Sequence, residues 1–164
     1  MTNVDKIKNK LYTRETIAPV LATWRFKDEK IVFTNGCFDI IHQGHIDYLA
    51  KAKDLGSKLI IGINSDESVR TLNKGVSRPI QDEKSRSIIL ASLFFVDAVV
   101  VFNDSTPLEL IKSIKPNVLV KGADYTPDKV VGANYVIENG GKLELIEYLE
   151  GFSTTKIETK IKNA

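Results

Sequence analysis

Cysteine is nearly absent from this chain. One residue in 164, Cys37, excludes an internal disulfide. Such sparing use fits a reducing cytoplasm, and Cys37 itself reads as a small packed residue. Histidine is almost as scarce, with only His42 and His45. With no cysteine ligand set and only Asp39 and Asp47 close by, two imidazoles fall short of the three protein ligands of a catalytic zinc, so no protein-held metal is expected. No apolar run approaches the length of a membrane span, and the opening Met1-Thr-Asn-Val-Asp-Lys6 lacks the charged-then-apolar pattern of an export signal. Neither sign of charge is in excess. Against 23 basic residues stand 21 acidic ones, a net +2, which predicts neither a nucleic-acid nor a membrane partner. Also missing are the Gly-x-x-x-x-Gly-Lys-Ser/Thr loop, a Gly-x-Gly-x-x-Gly after the first strand and a Gly-x-Ser-x-Gly elbow. Their absence disfavours a P-loop kinase, a dinucleotide-dependent dehydrogenase and a serine hydrolase.

What is present is a hydrophobic share of 43%, enough for one compact core. Apolar runs at 30–34, 58–63, 98–102, 117–120 and 142–146 read as strands. The run at 58–63 is nearly all apolar, as for a strand covered on both faces. Between them lie helical spacings. One starts after the histidines and stops at Gly56, a C-cap signal. One opens at Asp66, a good N-cap. Others cover about 82–93, 106–114, 128–138 and 156–162. Residues 5–27 predict one or two helices, with Ile17, Val20, Leu21 and Trp24 at helical spacing and a break or start near Pro19. Residues 1–27 are thus an arm packed on the core or on a second copy, ahead of a domain over 28–164. Five alternations of strand and helix predict a parallel five-stranded sheet with helices on both faces.

The polar motifs follow the first, second, fourth and fifth strands. Those are carboxyl ends, where open α/β sheets bind ligands. The stretch Ile31-Val-Phe-Thr-Asn-Gly-Cys-Phe-Asp-Ile-Ile-His-Gln-Gly-His45 dominates. A strand turning through Asn35-Gly36 into a helix leaves free N–H groups and the positive end of a helix dipole, which is an anion site. His42 and His45, three apart around Gly44, add donors on one face. The loop 72–79 brings Lys74 and Arg78, either as a solvated loop or as a mobile cover over phosphates. Ser153-Thr154-Thr155 reads as an N-cap or as a phosphate contact.

The run Gly36-Cys-Phe-Asp-Ile-Ile-His42-Gln-Gly-His45 resembles the H-x-G-H signature of the nucleotidyltransferase superfamily, and Ser153-Thr154-Thr155 with Ile157 resembles its second signature. Asn64-Ser65-Asp66-Glu67-Ser68-Val69, Ser77-Arg78-Pro79, Asp97 with Val99 and Val100, Asp104-Ser-Thr-Pro107 and Val120-Lys-Gly-Ala-Asp-Tyr125 extend the likeness. It covers residue 30 to the end and is nearest to the adenylyltransferases that act on D-glycero-β-D-manno-heptose 1-phosphate. The resemblance implies a Rossmann-like fold and transfer of AMP from ATP to a sugar 1-phosphate. It implies His42, His45 and Lys121 as catalytic residues. Gly36, Cys37, Phe38, Gly44, Asp124, Ser153, Thr154 and Thr155 would bind nucleotide. Asn35, Asp39, Asn64, Asp66, Lys74 and Arg78 would bind the acceptor or neutralise phosphates, with a structural role as the alternative for Asp39. Mg²⁺ would travel with ATP, which is itself a substrate. Many such enzymes carry a fused sugar kinase. A chain this short would perform the transfer step alone, with a separate kinase as partner in the same pathway, and related enzymes pair as homodimers. The alternatives are a glycerol-3-phosphate cytidylyltransferase using CTP and a non-catalytic nucleotide-binding module. Tyr148 stands where the former has Arg, which weakens that reading.

Overall fold

The computed structural model describes residues 1–71 and 78–163. Its elements in order are α1 (Asn3–Lys8), β1 (Leu11–Tyr12), α2 (Ala18–Phe26), β2 (Ile31–Gly36), α3 (Gln43–Asp54), β3 (Lys58–Asn64), α4 (Asp66–Thr71), α5 (Glu83–Ser92), β4 (Ala98–Phe102), α6 (Leu108–Ile114), β5 (Val118–Gly122), a 3₁₀ turn at Pro127–Lys129, α7 (Ala133–Glu138), β6 (Lys142–Ile146) and α8 (Thr154–Lys162). The strands form one parallel sheet in the order β1-β4-β3-β2-β5-β6.

The middles of the inner strands are apolar because both faces are covered. Along β2, Ile31 and Phe33 point into a core shared with α2, α6 and α7, through Ile17, Leu21, Leu110, Ile111, Ile114, Ala133 and Val136. Val32 points the other way, into a core shared with α3 and α5 through Leu49, Ala52, Leu90 and Ala91. The same alternation runs along β3 with Ile60 against Leu59 and Ile61, and along β5 with Leu119 against Val118 and Val120. The period of two is present but invisible in the middles of these strands, where both faces take apolar residues.

The sheet has six strands, not five. Leu11 and Tyr12 pair with Val99 and Val100 at the edge, and two residues carry no readable period. Ile17 and Leu21, in the N-terminal stretch, are fully buried in the first core. Asn35 and Gly36 are not the turn itself; they extend β2 in register with Gly62 and Ile63. Asp66 is the first residue of α4, not its cap: Ser65 Oγ accepts from Ser68 N at 3.0 Å. The helix expected over 128–138 is split by Gly132, at φ +84°, into the 3₁₀ turn and α7. The C-cap of α3 is Leu55, not Gly56, and Gly56 after it has no room for a side chain, since a Cβ there would lie 2.6 Å from Lys30 O.

Strand order positions the site. From β2 the chain steps outward to β3 and β4, then returns to the other side of β2 for β5 and β6. β2 pairs with β3 over six registered residues but with β5 only at Val32–Val118 and Phe33–Leu119. Beyond those pairs the two strands part, opening a crevice at the switch point. At the opposite end of the sheet, Asp97 accepts from Lys53 Nζ at 2.7 Å and Leu59 N at 2.8 Å. Lys58 lies 3.7 Å from both Asp97 and Glu29.

Candidate active site

The crevice is a cleft of about 510 Å³ between the carboxyl ends of β2 and β5. Its first wall is the passage from β2 into α3. Phe38 turns the chain there in the left-handed region, φ +48°, with its ring against Gly36, where a Cβ would sit 3.0 Å from it. His42 is the N-cap of α3 and contributes its carbonyl, accepting from His45 N at 2.9 Å, while its ring makes no capping bond. The rings of His42 and His45 stack at 3.9 Å, and Phe38 meets His45 edge-on at 5.3 Å. Both Nδ1 atoms are buried and, among the described residues, have no hydrogen-bond partner. Burial lowers the pKa of His42. His45 is brought down to about 4 by burial first and then by His42, with the Ile40 carbonyl acting in the opposite sense. Both imidazoles are therefore neutral at pH 7, each with one N–H to give.

The C-terminal segment closes over this turn. Gly44 makes room for it: a Cβ there would stand 3.2 Å from both the His42 ring and Phe152 Cβ. Ser153 Oγ caps α8 by accepting from Lys156 N at 3.1 Å. Thr154 and Thr155 line the cleft that His45 lines from the other side. The two imidazoles and the hydroxyl cluster, more than a hundred residues apart in sequence, thus share one side of the sheet.

The third wall comes from β5 and beyond. Lys121 Nζ donates to Asn35 O at 3.1 Å and lies 5.6 Å from the Tyr125 ring centre. Asp124 and Tyr148 line the same cleft. Gly122 is where Tyr148 crosses the strand, its ring 2.2 Å from where a Cβ would be. Burial, with Asp124 and Tyr125 nearby, pushes the Tyr148 hydroxyl up to about 12, so it stays a neutral donor. Tyr48 is raised further, chiefly by burial, with its hydroxyl 2.8 Å from Thr34 Oγ1.

Asp39 faces inward. Its carboxylate accepts from Ile80 N and Gln81 N at 2.9 Å and from Arg78 at 3.1 Å, while Gln81 Nε2 donates to its carbonyl. Arg78 reaches on to Glu158 of α8 at 2.8 Å. It lines the cleft while joining the 78–81 segment to the C-terminal helix. Arg86, fully buried, donates to Cys37 O at 2.7 Å, Gln81 O at 3.0 Å and Asp66 Oδ1 at 2.7 Å. That bond occupies Asp66 and fixes the loop that carries Phe38. Removing the guanidinium would leave Cys37 O, Gln81 O and the partly exposed Asp66 carboxylate without this donor.

Of the residues singled out in sequence, Asn35, Gly36, Cys37, Phe38, Asp39, His45, Arg78, Lys121, Asp124, Thr154 and Thr155 line the large cleft. His42 and Gly44 lie directly behind His45. Asn64 binds Ser68 Oγ at 3.0 Å and lines a smaller adjoining hollow. Lys74 lies outside the described residues. Tyr48, Tyr125 and Tyr148 were not anticipated as lining. Tyr125 directly follows Asp124 in the Lys121–Tyr125 run, and Tyr148 gave no signal beyond replacing an arginine.

A family model described as cytidylyltransferase-like matches residues 33–160. The bifunctional protein HldE of Campylobacter jejuni subsp. doylei is 54% identical over 156 residues, covering 95% of this chain and 32% of that protein. The HldE of Geobacter metallireducens is 50% identical over 159 residues, 97% of this chain and 31% of the other. The chain spans about a third of the length of these relatives. Among solved structures, the lipopolysaccharide core biosynthesis protein from Thermoplasma volcanium GSS1 has a TM-score of 0.61 at 27% identity, over 74% of this chain and 97% of that one. A pantoate-beta-alanine ligase from Francisella tularensis, at 16% identity and a TM-score of 0.57 over 93% of this chain and 76% of that one, shares the fold.

Proposed function

The chain belongs to the cytidylyltransferase-like family, and from that premise we propose that it transfers AMP from ATP to a sugar 1-phosphate, releasing pyrophosphate. The acceptor in this reading is D-glycero-β-D-manno-heptose 1-phosphate, the product ADP-heptose, a precursor of the lipopolysaccharide core. Residues 28–164 are the transferring unit, acting in the cytoplasm on an acceptor that a sugar kinase supplies. Among the described residues no helix is long and apolar enough to cross a membrane. The single observation that carries the reading is the stacked His42–His45 pair, with buried and unpartnered Nδ1 atoms, facing Thr154 and Thr155 across a cleft that Lys121 and Arg78 also line. The HldE relatives, 50–54% identical over nearly the whole chain, and the likeness of the complete motif run to heptose 1-phosphate adenylyltransferases support the acceptor.

The chemistry asks little of a base. A phosphate monoester has its second pKa near 6, so the acceptor arrives as the nucleophile. One of its oxygens bonds to the α-phosphorus of ATP. The bond from that phosphorus to the α–β bridging oxygen breaks, and pyrophosphate leaves with the electron pair. The barrier is the meeting of two anions and the charge that gathers on the leaving oxygens, so catalysis is positioning plus fixed donors. In this mechanism His42 and His45 donate to the triphosphate at the start of α3. Thr154 and Thr155, at the start of α8, hold its far end, and Lys121 neutralises charge between donor and acceptor. Mg²⁺ carried with ATP would offset charge on the phosphates that these residues contact. The Asp39 carboxylate is occupied by Arg78, Ile80 N and Gln81 N, so it serves the frame of the site.

The test is pyrophosphate release with ATP, CTP and GTP against heptose 1-phosphate, other sugar 1-phosphates and glycerol 3-phosphate. ATP with heptose 1-phosphate is expected to give the highest kcat/KM. Preference for CTP with glycerol 3-phosphate would move the protein to the cytidylyl branch. ATP binding without turnover on any acceptor would make it a binding module.

A further inference from the structure

Beside the histidine cleft lies a second hollow of about 260 Å³. The two share Asn35, Gly36, Cys37, Lys121 and Tyr125, so ligands in each would meet across that common wall. Their charges differ. The large cleft has Asp39 and Asp124 beside Arg78 and Lys121, whereas the described lining of the second has Lys121 and Lys129 and no carboxylate. Its remaining polar groups, Asn64, Ser105 and Thr106, suit hydroxyls. In the shared wall, Asn35 Oδ1 is buried and, among the described residues, has no hydrogen-bond partner. An acceptor atom buried without a donor is costly in the empty protein, and a ligand hydroxyl would relieve it. Two cations, neutral polar walls and an unused acceptor describe a pocket for a polyhydroxylated phosphate dianion.

Resting on the nucleotidyl-transfer reading, we propose that this hollow is the acceptor subsite and that Lys129 is the residue that selects a phosphorylated acceptor. Lys121, in both walls, serves both substrates. Lys129, on the exposed 3₁₀ turn Pro127–Lys129 and lining the second hollow only, meets the acceptor alone. With Asn35 Oδ1 taking a sugar hydroxyl, the two ammonium groups hold the phosphate while one of its oxygens turns towards the shared wall and the α-phosphorus beyond it.

Steady-state pyrophosphate release by Lys129→Ala and Lys129→Arg, with ATP and heptose 1-phosphate varied in turn, tests this. Lys129→Ala should raise the acceptor KM by about tenfold or more, leave the ATP KM within about twofold, and retain most of kcat. Lys129→Arg should recover most of the loss. ATP binding measured by calorimetry should match the wild-type protein. An unchanged acceptor KM, or an ATP KM rising in step with it, overturns the proposal and leaves the transfer reading standing. A wild-type protein that releases no pyrophosphate with any acceptor overturns the transfer reading and this proposal together.

Discussion

The two ends of the sheet are built on opposite terms. At the amino end, charges are partnered with each other and with the backbone: Asp97 takes Lys53 and Leu59 N, while Lys58 stands between Asp97 and Glu29. At the carboxyl end, Asn35 Oδ1 and the Nδ1 atoms of His42 and His45 are buried and, among the described residues, have no hydrogen-bond partner. Left unpaired, such buried acceptors lower stability, whereas left-handed backbone occurs at both ends, with Asp28 and Lys115 just before β2 and β5. The difference separates charges spent on the fold from buried polar atoms that, in the proposed function, a ligand would pair.

The largest expected effect lies at the carboxyl end. His45→Ala should lower kcat by about 10²–10³-fold, the loss typical of one donor to developing charge. Its unfolding free energy should change by less than about 1 kcal/mol, since the lost ring makes no Nδ1 bond. Kinetics and denaturant unfolding on the same preparation read both. The reverse holds at the amino end. Asp97→Ala strips the partner from Leu59 N and Lys53, and should cost about 1–3 kcal/mol, allowing for partial exposure, with kcat and both KM values unchanged. If both variants lost activity and stability together, the two ends would not be distinct.

A smaller effect concerns acid. Burial and His42 bring His45 to about 4 in the folded chain, below the ordinary imidazole value of 6.5. Between those values the unfolded chain binds more protons, so this contribution to stability is whole above pH 6.5 and is lost as pH falls towards 4. Wild-type protein should therefore lose more stability between pH 7 and pH 5 than His45→Ala does. Equal losses would mean that His45 is not held neutral by its surroundings.

Much of the frame was legible because burial on both faces makes parallel strands into continuous apolar runs, as at Leu59–Ile63 and Val99–Val100. The edge strand Leu11–Tyr12 was not, because its existence depends on β4 and not on any pattern of its own. Gly132 hid the break before α7, since nothing local marks which glycine takes positive φ. In the site, the histidine turn and the Ser153–Thr155 run stood out through spacing and hydroxyl density. The division of labour among charged residues did not. Arg86 looks like any basic residue on a helix, yet it is wholly buried and spans Cys37 O, Gln81 O and Asp66. Asp39 and Asp66 are taken up by Arg78 and Arg86, which only the folded distances reveal. Lys129 gave no signal either, because a lysine on a short turn becomes part of a pocket only when β2 and β5 part beside it.

The stacked histidines invite the most direct measurement. Their ring ¹⁵N signals can be followed by NMR through a pH titration, first in the free protein and then with a non-hydrolysable ATP analogue and Mg²⁺. A triphosphate placed against the two rings should shift both sets of signals and raise both pKa values, His45 from about 4, with proton uptake on binding. Saturation by the analogue with both rings unmoved in shift and pKa would contradict the assignment of these unpartnered groups to the triphosphate.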